Sequence, residues 1–264
     1  MNVALFVTCL ADLFRPQTAW ATVRLLEHGG CTVSVPEAQS CCGQPGFNNG
    51  DTDSTIAIAK QVIESFEGYD HVVIPSGSCG GMISKHYPEL FEAGTDWHKR
   101  ACDLAAKTHE LTDFLVNILQ LSDLPGQAPD GPVTYHDSCA GLRELGIKDQ
   151  PRKLLDMLGA TRIDLPDGQV CCGFGGTFCI KYPDISTRMV TDKIDAASST
   201  GAAHLVAGDL GCLMNMAGRA HRLKRPIKVW HIAELLAGLP ADAEPIGGFP
   251  DSGLPDDDFT ENES

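Results

Sequence analysis

Short apolar runs alternate along this chain with longer segments in which apolar residues recur every three or four positions. The short runs are rich in β-branched residues and predict buried strands at 3–8, 32–35 and 71–75. The periodic segments predict helices that begin near Pro16, at Asp51 or Asp53, at about residue 88 and at residue 110. Strands that alternate with helices indicate an α/β fold with a mainly parallel sheet.

The second half of the chain repeats this order of elements. Strands are predicted at 133–136, near Ile163 and at 204–207, and helices at 151–158, 184–197 and 231–237. A stretch rich in Pro, Gly and Asp, 122–132, separates the halves and predicts a linker. We therefore expect two pseudo-repeated lobes, 1–121 and 133–240, each with a small parallel sheet flanked by helices.

Composition and charge narrow the class of protein. Hydrophobic residues make up 43% of the chain, enough for a folded core, and the formal net charge is −15. The segment 241–264 carries eight of the acids and no Lys or Arg, which predicts a disordered acidic tail. An acidic chain without a basic cluster argues against nucleic acid and anionic membranes as partners.

The compartment follows from the start of the chain and from its apolar runs. The first apolar run is short and has no basic segment before it, so we expect no export signal. No run approaches the roughly 18 apolar residues that a membrane span needs. The sequence thus predicts a cytoplasmic protein, where thiols stay reduced and cysteines serve as metal ligands or redox groups.

Eight of the eleven cysteines form the same pattern twice. In each half a single cysteine lies 32 residues before an adjacent pair followed by glycine, and a fourth cysteine lies 37 or 40 residues after the pair. The two sets are Cys9, Cys41, Cys42 and Cys79, and Cys139, Cys171, Cys172 and Cys212. Four thiolates that converge on one point form a site for a soft metal.

The adjacent cysteines favour an iron–sulfur cluster over a single zinc ion. A cluster offers several iron atoms to neighbouring ligands, whereas zinc sites usually contain a C-x₂₋₄-C spacing, which neither set has. Zinc in one site stays an alternative. Glycines beside the cysteines would let the backbone approach the metal and donate amides to sulfide: Gly43, Gly80, Gly81, Gly173, Gly175 and Gly176.

The remaining candidates carry weaker signals. Cys31 and Cys102 have no counterpart in the other half and are interpreted as ordinary buried thiols, while Cys179 could be a spare ligand or inert. His136 is the one candidate catalytic residue, able to support the metal site or move a proton, or else a structural residue at a strand end. His109 and His231 begin helices 122 residues apart and predict repeated capping or packing.

The whole pattern resembles the cysteine-rich CCG domain, present twice, as in the cysteine-rich subunit of heterodisulfide reductase and the iron–sulfur subunit of glycolate oxidase. The resemblance covers about residues 1–240. Segments IPSGSCGGM (74–82), YHDSC (135–139) and CCGFGGTF (171–178) look similar to the lactate utilization branch of this family. The ferredoxin-like C-x₂-C-x₂-C-x₃-C segment of the glycolate oxidase subunit is not found.

This resemblance implies one or two iron–sulfur clusters of the 4Fe–4S type and a role in electron transfer. The implied system oxidises L-lactate to pyruvate with two companion proteins, so that this chain is a subunit of an oxidoreductase. The alternatives are a zinc-stabilised scaffold without a redox role and a thiol–disulfide oxidoreductase of the heterodisulfide reductase type. The family motif ends in C-x-x-C, but Met82 and Asn215 stand at its last positions here, which argues against disulfide reduction.

Overall fold

Two parallel sheets, one in each half of the chain, form the framework of the protein. The computed structural model describes residues 1–238 and 243–248. The strands are β1 (Asn2–Leu5), β2 (Thr32–Ser34), β3 (His71–Ile74), β4 (Thr108–Glu110), β5 (Val133–Tyr135), β6 (His204–Ala207) and β7 (Lys228–His231). The first sheet has the order β2-β1-β3-β4 and the second the order β5-β6-β7.

The strands of both sheets run parallel, and the second sheet repeats the first. Val3 lies opposite Val33 and His71, and Val133 lies opposite His204. The strand predicted near Ile163 is reduced to a single parallel bridge between Val133 and Arg162, on the side of β5 that β2 occupies beside β1. The predicted α/β fold with two pseudo-repeated lobes is confirmed.

Helices connect the strands and cover the sheets. Those of the first lobe are α1 (Cys9–Phe14), α2 (Pro16–His28), α3 (Gln44–Asn48), α4 (Thr52–Phe66), α5 (Gly77–Gly81), α6 (Tyr87–Glu89), α7 (Asp96–Ala106) and α8 (Leu111–Asp113). Those of the second are α9 (Cys139–Glu144), α10 (Asp149–Met157), α11 (Phe178–Lys181), α12 (Pro183–Ser199), α13 (Leu210–Arg222) and α14 (Ile232–Ala237).

Two of the predicted helices are irregular. The helix predicted over 88–106 is interrupted between α6 and α7, where Thr95 caps the new helix by accepting a hydrogen bond from the His98 amide. The helix predicted from residue 110 begins at Leu111, because Glu110 is its N-cap. After α8 it continues as a π-helical turn, Phe114–Ile118. A second π-helical turn, Met82–His86, joins α5 to α6.

A single apolar core joins the two lobes. Buried side chains of the first lobe, among them Leu26 and Phe114, pack in one cluster with Tyr135, Trp230 and Leu235 of the second. Each lobe also has an apolar cluster on the outer face of its sheet. The sheets therefore face each other across a shared interior, which fixes their relative position through burial of apolar surface.

Residues near the start of the predicted disordered tail are ordered. Within the range 241–264 predicted to be disordered, residues 243–248 are placed on the body of the protein, where the Ile246 amide donates to Val229 O at 2.9 Å and Gly247 lies against Ala217. The rest of that range lies outside the described residues. The predicted linker, 122–132, passes beside α14, where the Gly126 amide donates to Leu236 O. None of the described helices has the length and apolar character needed to cross a bilayer.

Candidate metal centres

The four cysteines of the first set meet at the carboxyl edge of the first sheet. Cys9 begins α1 directly after β1, and Cys79 lies in α5 directly after β3. The loop before α3 carries Cys41 and Cys42 toward them. Cys9 Sγ lies 4.0 Å from Cys41 Sγ, and Cys42 Sγ lies 3.3 Å from Cys79 Sγ. Because parallel strands end at one edge of a sheet, residues far apart in the sequence form one cluster.

The second set is arranged in the same way in the second lobe. Cys139 begins α9 after β5, and Cys212 lies in α13 after β6. The Cys172 and Cys212 sulfur atoms lie within 4.8 Å of each other. Cys139 is close enough to Cys171 for each thiol to shift the pKa of the other. The structure thus brings together all eight cysteines that the sequence pattern predicts as ligands, in two sets of four.

In each set, the hydrogen bonds that one cysteine accepts lower the pKa of its thiol. The thiols of Cys42 and Cys9 and the amide of Gly43 hold the pKa of Cys41 well below its usual value. The Gly43 amide donates to Cys41 Sγ at 3.4 Å, in a turn where Gly43 adopts a left-handed φ of 82°. Such donors favour the anionic form that binds metal.

The second lobe repeats this turn. The Gly173 amide donates to Cys171 Sγ at 3.4 Å from a φ of 83°. Hydrogen bonds from Cys139 and Cys172, together with this amide, lower the pKa of Cys171. A Cβ added at Gly173 would come within 2.9 Å of Ser186 O, so the loop accepts only glycine here on two grounds, its backbone angle and its contact with α12.

Two side chains that the sequence pattern does not assign to the sites hold the paired cysteines in place. Tyr87 Oη donates to Cys42 O at 2.9 Å, and Asn215 Nδ2 donates to Cys172 O at 3.0 Å. Asn215 is one of the two positions where the family motif has its last cysteine. The other, Met82, is fully buried in the apolar cluster of the first lobe. Neither position therefore carries a sulfur ligand in the form of a thiolate.

The second site contains two buried polar residues with no counterpart in the first. His136 is fully buried, and one of its ring nitrogens lies within 4.8 Å of Cys172 Sγ and Cys212 Sγ. Burial lowers the pKa of this histidine to about 3, so that its ring is neutral. Lys193 is 3% exposed and donates to Asp167 O. Burial lowers the pKa of Lys193, while the charges of Cys172, Asp167 and Cys171 raise it.

The predicted glycines play different parts. Gly80 donates its amide to Ser76 O within α5, so this amide is not directed to a sulfide as predicted. A Cβ at Gly80 would lie 3.1 Å from the end of the Leu145 side chain, and one at Gly81 would meet the Glu144 carboxylate, so both glycines face residues of the second lobe. Gly175 and Gly176 form a left-handed turn after Cys172, and their donation to a cluster stays a prediction.

The other cysteines lie apart from the two sets. Cys31 belongs to the apolar core shared by the lobes, and its pKa is raised by burial. Cys102 lies on α7 with its Sγ 3.9 Å from the His98 ring nitrogens. Cys179 donates its thiol to Gly176 O at 3.3 Å, which gives it a structural partner in the turn after Cys172.

The first site opens on a cavity of about 200 Å³ that the second lobe helps to enclose. Its walls include all four cysteines of the first set together with Phe174, Thr177, Leu210 and Gly211. The Phe174 ring lies so close to Gly211 that an added Cβ would overlap with it. Cys9 and Cys41 are half-buried, whereas Cys42 and Cys79 are buried. The site therefore has one edge toward solvent and one toward the protein interior.

The donor sets fit an iron–sulfur cluster. Each consists of four soft sulfur atoms, of which two come from adjacent residues, and each has a cysteine already favoured as thiolate. A buried histidine beside Cys172 and Cys212 has no hydrogen-bond partner for either ring nitrogen among residues 1–238 and 243–248. A buried imidazole without a partner in the fold fits a site where a bound group supplies the hydrogen-bond acceptor.

Comparison with known proteins agrees with this geometry. Residues 3–84 and 133–217 each match the CCG family, described as the cysteine-rich domain. These two matches contain all eight clustered cysteines, one set in each. A fold of two parallel sheets with a cysteine set at the carboxyl edge of each defines a tandem CCG-domain protein.

Curated relatives match over most of the chain. Proteins called lactate utilization protein A from Geobacillus kaustophilus and Oceanobacillus iheyensis are each 48% identical over 89% of this chain, and 98% and 96% of the relatives are covered. The protein of that name from an Exiguobacterium species is 49% identical over 89% of this chain and 96% of its own length. The chain belongs to the lactate utilization protein A family.

Among solved structures, an aspartate racemase from Picrophilus torridus covers 90% of this chain and 90% of its own. Its sequence identity is 12% and its TM-score 0.37, a similarity too low to define a shared function.

Proposed function

We propose that this protein is the iron–sulfur electron-transfer component of a cytoplasmic system that oxidises L-lactate to pyruvate. The relatives' name supports a role in lactate utilization and, through its letter, membership of a multi-protein system. Two companion proteins complete the proposed system, and the centre that removes hydride from lactate lies in one of them. The observation that carries the proposal is the convergence of two sets of four cysteines, each at the carboxyl edge of its own sheet.

The four cysteines of each set differ in burial. A 4Fe–4S cluster held by four thiolates supplies one-electron transfer. Cys42 and Cys79 in the first lobe, and Cys172 and Cys212 in the second, are buried and would hold it on the side that faces the interior. Cys9, Cys41, Cys139 and Cys171 are half-buried and leave one edge of each site accessible. Accessible edges of this kind allow electrons to enter and leave at contacts with partner proteins.

The surrounding side chains keep these ligands in position. Gly43 and Gly173 donate amides to the thiolates of Cys41 and Cys171, which stabilises the charged form. Tyr87 and Asn215 fix the carbonyls of the buried member of each pair. These contacts are made within the fold by groups other than the eight cysteine side chains, so they support four-thiolate ligation at both sites.

Metal analysis of protein purified without oxygen tests the proposal. We expect iron and acid-labile sulfide in nearly equal amounts, a brown colour and a broad absorbance band that dithionite bleaches. Zinc-loaded, colourless protein that still assembles with its partners would establish the scaffold alternative in its place.

Single substitutions assign the ligands in the same experiment. Cys41→Ser and Cys172→Ser should each lose the iron of one site, because a serine hydroxyl is a poor ligand for soft iron at neutral pH. Cys102→Ser is the matched control and should keep all the iron. Loss of iron from Cys102→Ser with retention in Cys41→Ser would contradict the ligand assignment.

A further inference from the structure

The first difference between the two sites is a residue directly behind the cysteines. Positions 6 and 136 are 130 residues apart, the same offset that relates Cys9 to Cys139. Phe6 is fully buried and packs against Phe66, with ring centroids 5.5 Å apart. His136 is fully buried as well, but in the second lobe the equivalent position carries a ring with two polar nitrogens. The apolar wall of the first site thus becomes polar in the second.

His136 faces the cysteines rather than another polar group. One of its ring nitrogens lies within 4.8 Å of the sulfur atoms of both Cys172 and Cys212. The ring is also near the backbone of Gly168, yet neither nitrogen reaches hydrogen-bond geometry with any group in the described part of the chain. An unsatisfied N–H in the interior is costly, so the structure leaves it free to donate to sulfur of a bound group.

A second difference lies on the helix behind each pair of cysteines. Ser186 of α12 contacts Gly173, and Thr55 of α4 lies against Gly43. Seven residues further along each helix come Lys193 and Val62, which occupy equivalent positions. Val62 is fully buried in the apolar cluster of the first lobe, whereas Lys193 is 3% exposed beside the second site. The second site therefore has a buried amine where the first has a methyl-bearing side chain.

Three acidic residues lie near the second site: Asp167, to whose backbone oxygen Lys193 donates, Asp137 and Asp209. Asp137 forms a bidentate ion pair with Arg152, at 2.7 and 2.9 Å, which neutralises its charge. Asp209 lies near Cys212, but its Oδ2 also accepts hydrogen bonds from Ser76 and Ser78 of the first lobe. Because Asp209 stands between the two sites, it affects both of them. The histidine and the lysine are specific to one.

We propose that His136 and Lys193 make the second cysteine set the more easily reduced of the two sites. Reduction adds one negative charge to a cluster, and a cation and an N–H donor stabilise that charge in a buried environment. Phe6 and Val62 offer the first site neither. At equilibrium, an electron supplied to the protein thus reduces the second site. Electron transfer within the protein therefore runs from the first site to the second. The inference rests on the proposed iron–sulfur function.

The test is a potentiometric titration of the anaerobically purified protein, followed by electron paramagnetic resonance. Cys172→Ser and Cys41→Ser each leave a single cluster, in the first and in the second lobe respectively, so that each potential is assigned to its site. We expect the higher potential in the second lobe. In His136→Phe and in Lys193→Met that potential should fall, and the equilibrium constant for reduction should drop at least tenfold, about 59 mV for one electron.

A matched control is His204, a buried histidine on the neighbouring strand β6. Its Nδ1 accepts from Trp230 Nε1 at 3.1 Å, and its Nε2 lies 2.8 Å from Asp130 O, so both nitrogens have partners within the fold. His204→Gln should leave both potentials unchanged. Phe6→His is the reverse substitution and should raise the potential of the first site.

The outcomes separate this inference from the function on which it rests. Two clusters of equal potential, or a lower potential in the second lobe, would overturn the inference and leave the proposed function intact. Loss of iron in His136→Phe with full iron in Lys193→Met would make His136 a ligand and overturn its assignment as a donor. Protein without iron would overturn the proposed function, and the inference with it.

Discussion

Ser76 and Asp209 occupy equivalent positions in the two lobes and hydrogen-bond each other across the interface, with 3.0 Å between Ser76 Oγ and Asp209 Oδ2. Each caps the helix that carries the fourth cysteine of its set, three residues before Cys79 and three before Cys212. The pseudo-repeat thus brings the two N-cap side chains into direct contact. Asp209 Oδ2 also accepts from the Ser78 amide, so two hydrogen bonds connect the helix that carries Cys79 to the helix that carries Cys212.

Asp209→Ala should destabilise the protein by about 2–4 kcal/mol, because it removes a buried cap together with the acceptor for Ser76 Oγ and the Ser78 amide. The measurement is the free energy of unfolding in urea under anaerobic conditions. Asp51→Ala is the control, since Asp51 is an exposed cap of α4 that accepts from the Ser54 amide alone. We expect about 1 kcal/mol there. Equal losses in the two variants would mean that the contact between lobes adds nothing.

Two glycines of one helix make a second matched pair. An added methyl group at Gly211 would overlap with the Phe174 ring, while Gly218 has open space around its Cα. Gly211→Ala should cost about 1–3 kcal/mol through overpacking, and Gly218→Ala should stabilise α13 by about 0.5–1 kcal/mol. Both values come from the free energy of unfolding in urea.

Phe174→Ala supplies the decisive background for this pair. If the contact with Phe174 causes the loss, Gly211→Ala should cost little in protein that already lacks the ring. A cost that stays the same in the double variant would place the strain elsewhere in α13.

Much of the fold could be predicted because the two halves carry the same pattern. The strand at 204–207 and the cap at Asp51 follow from local patterns, and the cysteine spacing predicts both sets of ligands. The relative position of the lobes could not be predicted in this way. Ser76 and Asp209 each carry a visible capping signal, yet their mutual contact depends on the shared core between the sheets.

Lys193 carries a signal in the sequence that points to a special environment. It lies on the stripe formed by Val190, Ile194 and Ala197, the buried face of α12. A lysine at that position contradicts the apolar period and indicates a buried partner. Phe174, by contrast, gives no such signal, because its role depends on a loop that crosses to the first site.

The prediction that His109 and His231 begin equivalent helices in the two lobes is wrong by one residue. His231 caps α14 by accepting from the Ala233 amide, as a capping role predicts. Its counterpart in the first lobe is Glu110, which caps α8, and not His109, which lies in β4 with its Nε2 3.1 Å from His71 Nδ1. The predicted offset is one residue too long, because a cap is defined by backbone geometry and not by residue type.

Glu110 makes stability depend on pH. Burial raises its pKa from 4.5 to about 7, against the hydrogen bonds from Thr112 and Asp113 that lower it. The folded protein therefore holds a proton that the unfolded chain releases between these values. Stability is lost as pH rises from about 4.5 to 7, by roughly 3 kcal/mol at most.

Glu110→Gln removes this titration and keeps the cap, because an amide oxygen can still accept from the Thr112 amide. The difference in unfolding free energy between the variant and the unmodified protein should grow from about pH 5 to about pH 8 in favour of the variant. A constant difference across that range would show that the carboxylate is charged in the folded state throughout.

The positions of the missing cysteines lead to the last prediction. Met82 is a neutral thioether buried among apolar side chains, and the Asn215 amide is bound to Cys172 O, so neither supplies a fifth thiolate. The dithionite-reduced protein should therefore transfer electrons without reducing a disulfide substrate. Cys102→Ser is a suitable background for the assay, because it removes a half-buried thiol outside both sets.

Asn215→Cys and Met82→Cys then ask whether the fifth thiolate alone restores that chemistry. Asn215→Cys loses the hydrogen bond to Cys172 O, and Met82→Cys leaves a space in the core that should cost about 1–3 kcal/mol. Disulfide turnover that appears only in these variants would assign the difference to ligand number. Substantial turnover by the unmodified protein would instead favour a thiol–disulfide oxidoreductase, because four cysteines per site would then suffice for direct attack on a disulfide.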